Sequence, residues 1–158
     1  NSDYQITTLE KVLEDPITLC NLKINGSDVD FQVNLNNFEN ESIICRSVQM
    51  GQVIINLLNN ACDAVQDYKE KWIKLEVEAA EGGLVIRIID SGKGIPENIR
   101  NKIFEPMFTT KEIGKGTGLG LSLSSSIIHN HKGKIEVDGN HPNTCFKIFL
   151  PTQQRQAA

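Results

Sequence analysis

Two glycine-rich stretches, DSGKGIP at 90–96 and GKGTGLGL at 114–121, bracket the apolar-rich segment KIFEPMFTTKEI at 102–113. Glycine admits positive φ and brings bare backbone N–H groups close to a ligand, and successive free N–H groups suit a phosphate. With Lys111 and Lys115 in the connecting stretch, the pattern is that of a loop that closes over an anion. GKGTGLGL runs directly into LSLSSSIIH, a helical pattern, so its N–H groups and the helix N-terminus would face the same anion. The expected element is a nucleotide lid. The plainer reading of the same glycines is a flexible surface loop, and the rest of the chain has to decide between the two.

The familiar phosphate motifs do not fit. A P-loop requires Gly, four residues and then Gly-Lys-Ser/Thr, which neither stretch supplies. The dinucleotide fingerprint requires glycines at the first, third and sixth positions after a strand, whereas Gly114, Gly116, Gly118 and Gly120 alternate.

With 158 residues the chain is one domain long and can bury a core without staples. An apolar fraction of 39% and a charged fraction of 23% describe an ordinary globular protein. The net charge of -4 argues against a nucleic-acid surface, and apolar runs such as Val53–Leu58 are too short to span a bilayer. No signal peptide is visible at the N-terminus. Cys20, Cys45, Cys62 and Cys145 lack metal spacing and read as small buried apolar residues in a reducing compartment.

In chain order, Asn1–Asp15 has a rough helical spacing that fits the end of a longer helix, stopped or restarted by Pro16, with a second short helix over Ile17–Ile24. Val29–Leu35 and Ser42–Cys45 read as strands, and Ser47 can cap a helix from Val48 to about Tyr68. On that helix Met50, Val53, Ile54, Leu57, Leu58, Ala61, Ala64 and Val65 form an apolar stripe, with Asn56, Asn60 and Asp63 on its flank. Asparagine is a poor helix-interior residue. The pair therefore reads either as core-edge amides bound to nearby backbone or as neutral oxygen ligands for a hard cation, with Asp63 beside them.

Trp72–Ala79 and Leu84–Asp90 form a hairpin across Glu81-Gly82-Gly83, which leaves Asp90 at a strand end before the glycine turn. Its carboxylate can bond its own turn or accept from an exocyclic amine. Pro96–Ile103 reads as a short helix, Leu119–His131 as a longer one closed by Lys132-Gly133, and Lys134–Val137 with Thr144–Leu150 as a final hairpin. The expected fold is α/β (α+β), a two-layer sandwich with a mixed, mostly antiparallel sheet, helices on one face and a flexible lid. Residues 16–152 form the domain, 1–15 the end of an upstream helix and 153–158 a polar tail.

NLLNNACDAV (56–65), DSGKGIP (90–96), IFEPMFTTK (103–111) and GKGTGLGL (114–121), in this order and spacing, resemble the four boxes of the ATP-binding catalytic domain of sensor histidine kinases. That superfamily is shared with DNA gyrase, the heat-shock chaperone ATPases and the mismatch-repair ATPases. The resemblance covers roughly Val29 to Pro151. It implies ATP and Mg2+ as cofactors, with Asn60 as the magnesium ligand, Asn56 assisting it and Asp63 nearby. Asp90 would read the adenine amino group, with Gly92 and Gly94 forming the turn against the base. Lys111, Lys115, Gly116, Thr117, Gly118, Leu119 and Gly120 match the lid around the phosphates, Phe104 and Phe108 the aromatic anchor of the lid, and Thr144 a residue near the adenine. Met107 replaces a common Phe, a change of lid packing, and Arg46 stands where the family often has Asp, which leaves the helix cap to Ser47.

Within this superfamily the ATPases resemble one another in a Glu one turn before the metal Asn, a base that activates water. Here that position is Asn56, an amide without useful basicity. The resemblance therefore implies a kinase that passes the γ-phosphoryl group to a histidine on a separate dimerisation domain. His129, His131 and His141 have no acidic residue following them, so the acceptor is expected upstream of this segment. The implied partners are that phosphoacceptor domain, a second copy in a homodimer and, indirectly, a response regulator, with no nucleic acid or membrane contact and a cytoplasmic location. The alternatives are a gyrase- or chaperone-type ATP-hydrolysing switch, a degenerate nucleotide-binding interaction module, and a related protein-serine kinase.

Overall fold

The computed structural model describes residues 3–108 and 120–152. In chain order they form β1 (Gln5–Thr8), α1 (Leu9–Ile24), β2 (Asp30–Asn34), β3 (Ser42–Cys45), α2 (Ser47–Val65), β4 (Trp72–Ala80) and β5 (Gly83–Asp90). Two single turns of 3-10 helix follow at Glu97–Ile99 and Lys102–Phe104, then α3 (Gly120–Asn130), β6 (Lys134–Val137) and β7 (Thr144–Pro151).

Five strands make one sheet in the order β2-β4-β5-β7-β6, with β2 parallel to β4 and the remaining pairs antiparallel. Strand periodicity separates its faces. Leu84, Ile86, Ile88, Ile148 and Leu150 lie on one face, buried beneath the helices. Across the other face runs a row of charges in register, Glu76, Arg87, Lys147 and Glu136. Arg87 pairs with Glu78, and Lys147 with Glu136. A half-buried charged row on one face and an aliphatic row on the other explain why the helices form a single layer, so the expected sandwich holds.

The α2 stripe is buried at Met50, Val53, Ile54, Leu57, Leu58, Ala61 and Val65, but Ala64 is exposed. At 100° per residue Ala64 lies on the side of Asn60, whereas Gly51, Leu58 and Cys62 lie on the opposite flank, where α1 packs. The site flank of α2 thus faces away from α1 and meets α3 at Asn56.

Several local expectations change. Residues 5–8 are a strand, paired with β3 in a separate two-stranded sheet. α1 runs through Pro16 without a break. Pro16 is buried against Gly51 of α2, and interhelix packing offsets the missing N–H. Thr8 caps α1 by accepting from the Lys11 N–H at 3.3 Å. Ser47 is the first helical residue of α2 and not its cap, because Arg46 takes that position without a side-chain bond. The Arg46 N–H instead donates to His131 Nε2 at 3.0 Å. Pro96–Ile103 is not one helix but the two 3-10 turns. At the end of α3 the left-handed residue is Lys132, φ 61°, and not Gly133. Gly133 is required for space, since a Cβ there would lie 2.3 Å from the Phe149 carbonyl oxygen.

Candidate functional site

Strand register brings the first part of the site together. Asp90 ends β5 and Thr144 begins β7, and the two are cross-strand partners on the inward row. Both are buried, Asp90 to 4% exposure. The chain then turns back over them. Gly92 N–H donates to Asp90 Oδ1 at 2.7 Å, Gly94 N–H donates to Thr144 Oγ1 at 3.0 Å, and Thr144 N–H donates to the Gly92 carbonyl at 3.1 Å. The turn closes so tightly that a Cβ on Gly92 would stand 2.6 Å from Thr144 Oγ1 and 2.7 Å from Asp90 Oδ1. Gly94, at φ 99°, supplies the reversal that side chains disfavour.

Burial pushes the Asp90 carboxyl up to about 6, against the Gly92 N–H and Thr144 hydroxyl bonds, which favour the ionised form. A carboxylate held in this manner is a directional acceptor at neutral pH. Asn143 Nδ2 donates to the Gly92 carbonyl at 3.2 Å, and the Tyr68 hydroxyl stands 3.2 Å from where a Gly92 Cβ would be. Sequence reasoning missed both residues, since each reaches the turn from a distant connection and neither lies in a recognisable pattern.

The second part sits on α2. Asn56 is half-buried and its amide is fully engaged: Oδ1 accepts from Gln52 Nε2 at 2.8 Å, and Nδ2 approaches the Gly120 carbonyl at 3.4 Å and Ser124 Oγ at 3.3 Å. It thereby ties α2 to the first turns of α3, through a serine that is fully buried and was not singled out from sequence. Asn60, one turn on, is half-buried on the same flank. Asp63 is exposed and paired with Lys23 of α1 at 3.3 Å, so its charge is shared with that helix. Phe104 packs edge-to-face on Phe146 with ring centres 6.3 Å apart, and Phe108 packs against the core. Met107 is exposed at φ 68° and does not fill the place of a packed Phe. Lys111, Lys115, Gly116, Thr117, Gly118 and Leu119 lie outside the described residues.

Among the described residues no group of three His, Cys, Asp or Glu side chains gathers as a metal cluster. A cation at this site would therefore rest on amide oxygen and on the ligand's own oxygens. A cavity of 260 Å³ lies between Lys93–Pro96, Arg100 and the β6–β7 connection. It shares only Gly94 with the Asp90 cluster and is a separate depression.

Comparison with known proteins follows the same outline. Residues 45–154 match the family described as histidine kinase-, DNA gyrase B- and HSP90-like ATPase. Sporulation kinase A of Bacillus subtilis (strain 168) is 40% identical over 155 residues, which is 96% of this chain but 24% of that protein's length. Among solved structures, the catalytic domain of histidine kinase ThkA in a nucleotide-free form superposes with a TM-score of 0.84 at 31% identity, covering 95% of this chain and 96% of that one. A structure of ThkA in complex with the response regulator protein TrrA matches with a TM-score of 0.80 at 28% identity, covering 98% of this chain and 43% of that one.

Proposed function

This chain belongs to the histidine kinase-, DNA gyrase B- and HSP90-like ATPase family, and on that premise we propose that it is the ATP-holding half of a two-component sensor histidine kinase. Membership in an ATPase-type family implies ATP binding, and its homologues are sensor histidine kinases. The catalytic domain includes β1 and α1, whose Leu9, Val12 and Leu13 belong to the shared core, and a dimerisation and phosphoacceptor domain of a cytoplasmic kinase portion leads into it. No helix among the described residues is long and apolar enough to cross a membrane.

The observation that carries this reading is the buried Asp90 carboxylate at the end of β5, fixed by bonds from the Gly92 N–H and the Thr144 hydroxyl. It accepts the adenine amino group, while Gly92 and Gly94 offer the base a flat edge without side chains. Phe104 and Phe108 anchor the start of the lid, whose Lys111, Lys115, Gly116, Thr117, Gly118, Leu119 and Gly120 surround the phosphates.

Magnesium, when bound, neutralises phosphate charge. The donor set fits it sparingly. Asn60 would hold it through its amide oxygen, together with oxygens of the ligand, and Asn56 orients the helix surface through its three existing bonds. Asp63, paired with Lys23, lends longer-range negative charge.

Asn56 also favours a kinase over a hydrolase. An amide already committed to Gln52, Gly120 and Ser124 cannot abstract a proton from water. The site holds the γ-phosphoryl group for attack by an imidazole brought from the phosphoacceptor domain. The new N–P bond forms as the bond to the ADP oxygen breaks, and catalysis consists of positioning and electrostatic stabilisation. The response regulator then takes the phosphoryl group from that histidine.

Calorimetric titration of ATP, with and without magnesium, into the chain and its Asp90→Asn variant tests the proposal. The expected result is magnesium-assisted binding that the variant loses, followed by phosphorylation of an added His-bearing helical-hairpin fragment. Absence of ATP binding to the intact chain would sink it, and steady ATP hydrolysis without any acceptor would favour the ATPase reading.

A further inference from the structure

Two thiols that stand 42 residues apart in sequence meet inside the molecule. Cys20 projects from α1 and Cys62 from the flank of α2 opposite the site, and their sulfur atoms are 3.9 Å apart. Both are buried, Cys20 to 3% and Cys62 to 6% exposure. The Lys23–Asp63 ion pair, over a third exposed, joins the same two helices within three residues of each thiol.

The two sulfurs are not equivalent. A bond from the Cys20 thiol lowers the Cys62 thiol below its ordinary value, with Lys23 acting in the same direction and burial and Asp63 opposing them. Cys20 is pushed up, first by that bond and then by burial. Burial, with the Asp138 charge adding to it, pushes the Cys145 thiol up to about 11, and burial raises Cys45 against a Ser47 bond, which makes both poor nucleophiles. An attacking sulfur beside a resolving one is the arrangement of a reversible thiol switch.

We propose that Cys20 and Cys62 form a peroxide-oxidisable pair whose disulfide clamps α1 to α2. The Cys62 thiolate attacks one oxygen of hydrogen peroxide, an S–O bond forms as the O–O bond breaks, and hydroxide leaves. The Cys20 sulfur then attacks the sulfenic sulfur. An S–S bond forms, the S–O bond breaks, and the departing hydroxide takes the Cys20 proton as water. Two thiols and one peroxide give one disulfide and two waters, and a dithiol reverses the change. The sulfurs must close from 3.9 Å to about 2 Å, a movement that side-chain rotation and a small helix shift share.

The test is intact-mass and thiol-counting analysis of the native chain after brief peroxide treatment and quenching. The expected product is lighter by about 2 Da, has two titratable thiols where the untreated chain has four, yields a Cys20–Cys62 cross-linked peptide, and reverts fully with dithiothreitol. In Cys20→Ser the cross-link disappears and a dimedone adduct accumulates on Cys62. A cross-link to Cys45 or Cys145, an intermolecular disulfide, or oxidation to sulfinic acid without any lighter species overturns the proposal. Peptide mapping of the native chain decides the matter even if a variant folds poorly.

Discussion

At Asp90, burial and hydrogen bonding act on one carboxyl in opposite directions, and burial wins. The folded-state value of about 6 exceeds the ordinary 3.8, so between pH 4 and pH 6 the folded chain holds a proton that the unfolded chain has lost. Stability therefore falls as pH rises through that window and levels off above it. The structure carries this cost at a buried carboxylate, which is what a site tuned for a ligand does. Asp90→Asn keeps an oxygen for the Gly92 N–H and removes the buried charge. It should stabilise the chain by about 3 kcal/mol at pH 8 and by well under about 1 kcal/mol at pH 4. Denaturant unfolding of both proteins at the two pH values checks this. An equal difference at both would show that ionisation of Asp90 is not what burial opposes. The same variant should lose ATP, which separates its stability from its function.

The elements divide α2 between two tasks. One flank meets α1 closely, through Gly51, Leu58 and Cys62, and the other carries Asn60 and meets the start of α3 through Asn56. Close approach there is not forced by the absence of a side chain at 51. A Cβ on Gly51 would find its nearest neighbours, Pro16 Cγ and the Val12 carbonyl oxygen, at 4.0 Å, an ordinary contact distance. Gly51→Ala should therefore gain helix propensity without overpacking and stabilise the chain by about 1 kcal/mol. A lower denaturation midpoint in the variant would mean that the contact with Pro16 is tighter than the geometry shows. α3 is fixed differently. His131, just past its end, keeps its Nδ1 at 2.7 Å from the Ile127 carbonyl and accepts the Arg46 N–H, while the Tyr4 hydroxyl donates to the Asn130 carbonyl at 3.0 Å. The Arg46 guanidinium lies 4.7 Å from the centre of the Tyr4 ring. This helix end is thus a junction of the residue leading into β1, the start of α2 and α3.

For the whole molecule, one core joins the sheet and all three helices, so unfolding should be a single cooperative transition. Ligand binding to the folded state alone then adds stability by mass action. ATP with magnesium at about a hundred times its dissociation constant should add about 3 kcal/mol and raise the midpoint by several degrees, and leave the Asp90→Asn transition unmoved. Calorimetric scans with and without nucleotide measure this. Two transitions, only one of them moved by ATP, would split the core that the structure shows as continuous. Much of this was determined by the sequence alone. Strand alternation, the α2 stripe and the glycine turns are local patterns whose physical meaning does not depend on distant contacts, and they specify the layered fold, Asp90 at its strand end and the amide at position 56. Tertiary structure decided the rest, since each remaining feature is a meeting of residues far apart in the chain. Residues 5–8 become a strand because β3 offers an edge, and Pro16 stays in a helix because α2 packs against it. Tyr68 and Asn143 reach the Gly92 turn, Ser124 meets Asn56, and Cys20 meets Cys62, only because the folded backbone puts them in register. No pattern within a window of sequence encodes such pairings, because the free energy that selects them is that of the assembled core.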